Sequence, residues 1–266
     1  MERTRPAARA ATFLLLVSLA VGPAVAHAEP ARRHTVAELP PVMLWAWEYP
    51  QDLRFADPAR VGVASLGATA ALTGGDVRVT MRRQPLRTAP GAARVNVLRI
   101  ELPRGAKAKL SDAQAARLTR LAVELARERG VLGVQVDFDA PRSARPFYRR
   151  LLARMRAELP DTSLLAMTAL ASWAMGDAWL EGLPVDAAVP MAFRMGADAG
   201  RIRAALAAGR DFTPALARGN LGVDLDEPWP HSLPGRRYWI FVHGSWTPTR
   251  MDRVNRVWAQ WKKDST

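Results

Sequence analysis

Short apolar segments recur along the chain from residue 42 onward, and stretches with helical periodicity separate several of them. Eight of these segments have the length and the nearly continuous apolar character of buried strands: 42–47, 61–66, 94–100, 132–138, 164–168, 187–191, 221–225 and 238–242. Such strands are typical of parallel sheets that are covered on both faces. The pattern therefore predicts an α/β fold.

Helical periodicity is clearest in four stretches: 112–129, 144–159, 198–208 and 249–261. Ser111 is suited to cap the first of these helices, and Gly130 to end it. Eight strands alternating with helices predict a closed (β/α)8 TIM barrel, which usually needs about 250 residues. An open, doubly wound sheet is the alternative. Segment 77–81 is expected to add a hairpin strand after the second barrel strand, and no clear helix separates the first two strands.

The strand at 132–138 has a polar face. Because side chains alternate along a strand, Gln135, Asp137 and Asp139 share one side, and the intervening apolar side chains share the other. Two buried carboxylates without partners would be costly. We therefore expect this face to border an open cavity and to belong to a functional site.

Polar and aromatic residues also follow most of the other predicted strands. In a TIM barrel the working residues lie at the carboxyl ends of the strands, so these residues are candidates for the same site. They are Trp45, Trp47, Glu48, Ser172, Trp173, Arg194, Asp224, Asp226, Glu227, His243 and Trp246.

The N-terminus has the organisation of a secretory signal peptide. Three arginines precede an apolar run over 11–21, and Ala26 and Ala28 fit a cleavage motif. We expect cleavage after Ala28, a linker over 29–41, a barrel domain over 42–262, and a periplasmic or secreted protein. No later apolar run is long enough for a transmembrane helix. The chain contains no Cys, which excludes disulfides and thiolate metal sites.

The net charge is +13, or about +11 without residues 1–28, whose charged residues are three Arg and one Glu. This charge favours anionic surroundings such as an envelope polysaccharide. The abundance of Arg and Ala equally fits a compositional bias. The arginines are not interleaved with aromatics in a nucleic-acid-binding pattern, so nucleic acid is not an expected partner. No nucleophile elbow and no phosphate-binding glycine loop is present, and no cofactor is expected.

Residues 131–139 resemble the fourth strand of chitinase-type (family 18) glycoside-hydrolase barrels. That strand has the pattern apolar, Asp or Asn, Gly, apolar, Asp, apolar, Asp, any residue, Glu. From about residue 42 onward, the chain more closely resembles an uncharacterised bacterial family placed among such barrels, the domain of unknown function numbered 3142. Segments 134–140, 168–173 and 189–196 carry this second resemblance.

The chitinase resemblance implies roles for the two aspartates. In that family the final Glu is the general acid, and the Asp two residues earlier orients the substrate acetamide. By position, Asp139 becomes the acid and Asp137 its partner, while Trp246 matches the floor of the scissile sugar's subsite. Two residues depart from the pattern: Asp139 replaces Glu, and Gln135 replaces the outer Asp. The shorter side chain retracts the carboxyl by about 1.5 Å, one C–C bond.

Each candidate also has a structural explanation. Asp139 could cap the next helix or pair with Arg142 or Arg145. An acid among 224–227 could form a salt bridge with Arg194, or the acidic groups and His243 could hold Ca²⁺ or Mg²⁺, although no ligand spacing supports a metal. Arg194 could alternatively bind the carboxylate of an acidic sugar. Any single tryptophan could be a packing residue rather than a platform for sugar rings.

The sequence thus predicts an exported barrel that acts on an envelope or extracellular glycan. The leading hypothesis is a glycoside hydrolase with Asp139 as acid and Asp137 as partner. Gln135, Trp45, Trp47, Glu48, Trp173, Arg194, Asp224, Asp226, Glu227 and Trp246 are expected to bind the substrate. The alternatives are a non-catalytic carbohydrate-binding barrel and a structural envelope protein.

Overall fold

The computed structural model describes residues 34–230 and 235–264, with side chains as far as residue 260. The predicted signal peptide and the first part of the predicted linker lie outside these residues. The strands are β1 (Val42–Ala46), β2 (Gln51–Leu53), β3 (Val61–Thr73), β4 (Asp76–Met81), β5 (Leu86–Thr88), β6 (Arg94–Glu101), β7 (Gly133–Asp137), β8 (Leu164–Leu170), β9 (Ala187–Met191), β10 (Asn220–Asp224) and β11 (Arg237–Phe241).

Eight parallel strands close into a barrel: β1, β3, β6, β7, β8, β9, β10 and β11, in chain order. Closure follows because β1 pairs with both β3 and β11. The predicted (β/α)8 barrel is confirmed, and the open doubly wound sheet is excluded. Every predicted barrel strand is present.

The helices are α1 (Asp112–Ala126), α2 (Arg145–Glu158), α3 (Ala171–Ala174), α4 (Ala199–Ala207), α5 (Ala215–Arg218) and α6 (Pro248–Asp264). Short 3-10 turns cover Val36–Glu38, Arg142–Ala144, Ala178–Leu180 and Gly196–Asp198. The four predicted helices correspond to α1, α2, α4 and α6, with small shifts at the ends. Ser111 caps α1 as predicted, and its side chain and that of Gln114 form a reciprocal capping box.

The core has two layers, as the alternation of side chains along each strand requires. Met43, Trp45, Val97 and Trp239 pack inside the barrel. The opposite faces of the strands pack under the helices, as Val136 and its apolar neighbours on β7 do. The barrel interior is therefore filled by side chains below the carboxyl ends of the strands.

The largest departure from a regular barrel is the connection from β3 to β6. After a register shift between Leu66 and Ala68, β3 continues to Thr73 and forms an antiparallel hairpin with β4. The predicted hairpin strand is thus present. The sequence did not indicate the length of β3 or the small parallel sheet of β2 and β5.

Residues 34–41, expected to be part of a linker, pack against the barrel instead. Leu39 is buried in the barrel interior, and Arg237 donates hydrogen bonds to the carbonyl oxygens of Leu39 and Pro40. Val36 also packs against the interior cluster, and the polar, proline-containing sequence of the segment does not reveal these apolar contacts. Within the described ranges, no helix is both long and apolar enough to cross a membrane.

Candidate functional site

A cavity of about 240 Å³ opens where the barrel strands end at their carboxyl termini. Trp47, Arg99, Asp137, Asp139 and Arg194 line it, together with several apolar side chains. The polar face of β7 therefore points into a cavity, as the alternation predicts. Asp137 is the last residue of β7, and Asp139 follows two residues later.

Asp137 lies at the bottom of this cavity and is 6% exposed. Its Oδ1 accepts a hydrogen bond of 2.7 Å from the Thr168 hydroxyl on β8, and its Oδ2 lies 3.2 Å from Nη1 of Arg99 on β6. Burial raises the pKa of Asp137 to about 6, with a further contribution from the nearby charge of Asp139, although Arg99 opposes the shift. Asp137 therefore binds a proton at weakly acidic pH.

Arg99 links Asp137 and Glu101 to the Trp47 ring. Its Nε donates to Glu101 at 2.9 Å, and its guanidinium lies 5.2 Å from the centre of the Trp47 ring. Burial alone would lower the pKa of Arg99, but the charges of Asp137 and Glu101 outweigh it and raise the pKa. Arg99 is therefore a fixed positive charge at the centre of the site.

Asp139 is exposed to the cavity and, among the described residues, makes no hydrogen bond or ion pair. The structural explanations for this residue do not hold. Arg145 pairs with Asp177 at 2.6 Å, and the turn Arg142–Ala144 has no side-chain cap. Partial desolvation raises the pKa of Asp139, and the charge of Arg99 opposes the shift. Asp139 is thus a carboxyl free to contact a ligand.

A second cavity of about 500 Å³ adjoins the first. The two share Trp47, Arg99, Phe193, Arg194 and Phe241 as a common wall. Glu48, Glu101, Asp224 and His243 also line the second cavity. Its volume lies within the usual range for small-molecule sites, about 300–1,000 Å³.

The acidic group after β10 does not act as a unit. Asp224 reaches the second cavity, where its carboxylate accepts the backbone N–H of Asp226. Asp226 forms an exposed ion pair with Arg253, and Glu227 pairs with Arg203. Asp226 and Glu227 therefore do not line either cavity, contrary to their expected role in substrate binding.

Three of the predicted tryptophans pack in the protein interior. Trp45 is fully buried inside the barrel, where its Nε1 donates to Gln135 at 2.9 Å. Trp246 is buried and donates to the carbonyl oxygen of Trp45. Trp173 lies on α3 and packs edge-on against Trp179. These residues line neither cavity, and Gln135 is also fully buried and lines neither.

Trp47 is the predicted tryptophan that does line the cavities. Its ring packs edge-on against that of Trp45, with centroids 4.5 Å apart. Trp47 lies two residues after Trp45 on the same face of the strand and so lies one layer higher in the barrel. This higher position places Trp47 in the cavity wall, whereas Trp45 lies in the core.

Arg194 borders both cavities and has a left-handed backbone with φ of 49°. The carboxylate of Glu227 accepts its backbone N–H at 3.2 Å. The guanidinium makes no ion pair with the acids of 224–227. A non-glycine residue in this conformation is strained, and such strain is concentrated at functional sites.

Several residues of the site are not singled out by the sequence pattern. Arg99 and Thr168 lie within apolar strands, beside Asp137 only because β6 and β8 flank β7. An arginine inside the apolar strand 94–100 was the available signal. Phe193 and Phe241 supply aromatic surface in the place expected for Trp246 and Trp173. Ser172 lines the first cavity as its strand-end position suggests.

Within residues 34–230 and 235–264, no cluster of three or more His, Asp or Glu side chains is arranged to hold a metal ion. A comparison of the chain with protein-family models, curated proteins and solved structures finds no match.

Proposed function

We propose that this protein hydrolyses a glycosidic bond, with Asp139 as the general acid and Asp137 as its partner. The observation that carries the proposal is a pair of carboxyl groups with raised pKa values in one cavity, of which only the outer one makes no hydrogen bond or ion pair with the described residues. An acid catalyst must hold a proton near the working pH and reach the leaving oxygen. Asp139 has the access and a raised pKa, and Asp137 lies beside it with a pKa raised to about 6.

The surroundings of the pair suit a sugar. Aromatic rings pack against the C–H faces of sugar rings, and Trp47, Phe193 and Phe241 form the wall shared by the two cavities. A ligand longer than one ring could occupy both cavities across this wall. Arg99 and Thr168 hold Asp137 in place from two neighbouring strands, which keeps the reacting group ordered before substrate binds.

The test is product release from N-acetylhexosamine oligomers and peptidoglycan fragments, followed by mass spectrometry. Asp139→Asn should lower the rate by about 100-fold or more, since it removes the acid. Asp252→Asn is the matched control because Asp252 is exposed on α6 and lines neither cavity. Full activity of Asp139→Asn, or no turnover by the wild type across a broad glycan panel, contradicts the proposal.

A non-catalytic glycan-binding barrel is the second candidate. It is favoured by the Asp in place of Glu, and by the fact that no hydrogen bond from the part of the chain that the structure describes orients the Asp139 carboxyl. This candidate predicts saturable glycan binding without products. Trp47→Ala should then abolish binding, whereas Asp139→Asn should leave it nearly unchanged, as isothermal titration calorimetry would measure.

A further inference from the structure

The loop that carries Trp47 connects β1 to β2 and is held by the segment that follows β4. The guanidinium of Arg82 donates hydrogen bonds to the carbonyl oxygens of Trp47 at 2.8 Å and Tyr49 at 2.7 Å. Its Nε donates to the carbonyl oxygen of Gln84 at 3.0 Å. One side chain thereby ties the backbone on both sides of Glu48 to the end of the hairpin.

The loop also holds the hairpin segment in return. The carboxylate of Glu48 accepts the backbone N–H groups of Arg83 at 2.8 Å and Gln84 at 3.0 Å. The backbone N–H of Arg82 donates to the carbonyl oxygen of Gly67, where the register of β3 shifts. We refer to the contacts of Arg82 and Glu48 as the Arg82–Glu48 clamp.

An arginine is suited to this task because its planar fork presents several donors in fixed directions. Arg82 is partly buried and makes no salt bridge within the described part of the chain. Its hydrogen bonds go to carbonyl oxygens and so order the backbone of the loop. A lysine ammonium could not span the same carbonyl oxygens in one rigid geometry.

We propose that Arg82 is a positioning residue: the Arg82–Glu48 clamp fixes the Trp47 ring in the wall shared by the two cavities. The β3–β4 hairpin, an addition to the regular barrel, then supports the site from outside the ring of strands. The effect of the clamp on glycan turnover rests on the proposed function. Its effect on the placement of Trp47 does not.

The full-length chain labelled with 5-fluorotryptophan tests this placement without any ligand. The ¹⁹F resonance of Trp47 is identified by its loss in Trp47→Phe. In Arg82→Gln this resonance should shift or broaden by more than its linewidth, while the resonances of Trp173 and Trp179 stay in place, because both lie on the outer layer. Arg82→Lys should produce the same change to a smaller extent.

Arg83→Gln is the matched control, since it removes the same charge one residue away and keeps the backbone N–H that Glu48 accepts. An unchanged Trp47 resonance in folded Arg82→Gln and Arg82→Lys overturns the proposal, because packing against Trp45 and Arg99 alone would then hold the ring. An equal change in Arg83→Gln also overturns it. If neither Arg82 variant folds, Glu48→Ala breaks the clamp from the other side, and an unchanged resonance there has the same meaning.

Turnover separates this inference from the proposed function. If the protein is a glycosidase, Arg82→Gln should reduce kcat/KM by up to about 100-fold, as small misplacements of binding groups do. A shifted Trp47 resonance in a protein with no glycosidase activity would leave the clamp established and contradict the proposed function alone.

Discussion

Asp137 ends β7 and Asp139 follows two residues later, yet their surroundings differ. Asp137 is buried between Thr168 and Arg99, whereas Asp139 faces the cavity and has no hydrogen-bond or ion-pair partner in the described ranges. Both pKa values are raised, the deeper one to about 6. Divergent environments of this kind are how proteins give two similar carboxyl groups different roles.

The raised pKa of Asp137 predicts a pH-dependent loss of stability. Its pKa in the folded protein, about 6, exceeds the ordinary value of 3.8, so the folded state keeps a proton that the unfolded state releases. The free energy of unfolding should therefore fall as the pH rises from about 4 to about 6, and the loss is complete above pH 6. At about 1.4 kcal/mol per pKa unit, the contribution is up to about 3 kcal/mol.

Asp137→Asn lacks this proton and should gain up to about 3 kcal/mol relative to the wild type between pH 4 and pH 7.5. Urea unfolding at both pH values measures the difference. Asp252→Asn, at an exposed position on α6, should follow the wild type. If Asp137→Asn and the wild type have parallel pH profiles, the buried carboxyl does not titrate as described.

A second prediction concerns the close contact between β7 and β8. A Cβ atom at Gly133 would lie 2.0 Å from the carbonyl oxygen of Leu164, so the two strands would have to separate. Gly133→Ala should destabilise the protein by about 3 kcal/mol or more. Gly200→Ala, where a Cβ atom meets nothing within 4 Å, should be neutral or stabilising. Equal melting temperatures of the two variants would contradict this.

Among the elements, α1 and the β3–β4 hairpin are linked by the side chain of Gln114. Besides its part in the capping box, Gln114 donates from Nε2 to the carbonyl oxygens of Gly74 and Asp76 at the hairpin turn. The sequence indicated the cap through Ser111. It did not indicate the link to the hairpin, because that contact depends on how far β3 extends beyond the barrel.

This link predicts different costs for two neighbouring substitutions. Ser111→Ala removes one cap and should cost about 1 kcal/mol. Gln114→Ala also removes two hydrogen bonds to the carbonyl oxygens of the hairpin turn and should cost about 2–3 kcal/mol. Hydrogen exchange should show faster opening around residues 74–76 in Gln114→Ala only. Equal exchange rates in the two variants would indicate that the hairpin does not depend on Gln114.

For the whole molecule, the period of the apolar segments was enough to predict the barrel and the order of its strands. The same alternation predicted that Asp137 and Asp139 face a cavity, and both line it, although β7 ends at Asp137. How deep a side chain lies in the barrel could not be predicted from the alternation. Trp45 and Trp47 share a face, and only the closed barrel shows that the first is sealed in the core while the second lines the cavities.

The contacts that other strands make with Asp137 could not be predicted from the sequence either. Arg99 and Thr168 approach Asp137 through the register of β6 and β8, which periodicity does not determine. Trp246 illustrates the same limit, because a tryptophan after the last strand can either border the cavity or fold back against the barrel. Here its indole N–H donates to the carbonyl oxygen of Trp45. The site therefore contains fewer tryptophans and more arginines than the sequence suggests.

The most direct test of the central claim is a titration of the aspartate carboxyl groups by ¹³C NMR, with Asp137→Asn and Asp139→Asn to assign them. One resonance should titrate near pH 6 and disappear in Asp137→Asn, and the resonance lost in Asp139→Asn should titrate above the ordinary value for aspartate. If both carboxyl groups lose their protons at or below pH 4, the pair holds no proton near neutrality, and the acid–base role proposed for this cavity is contradicted.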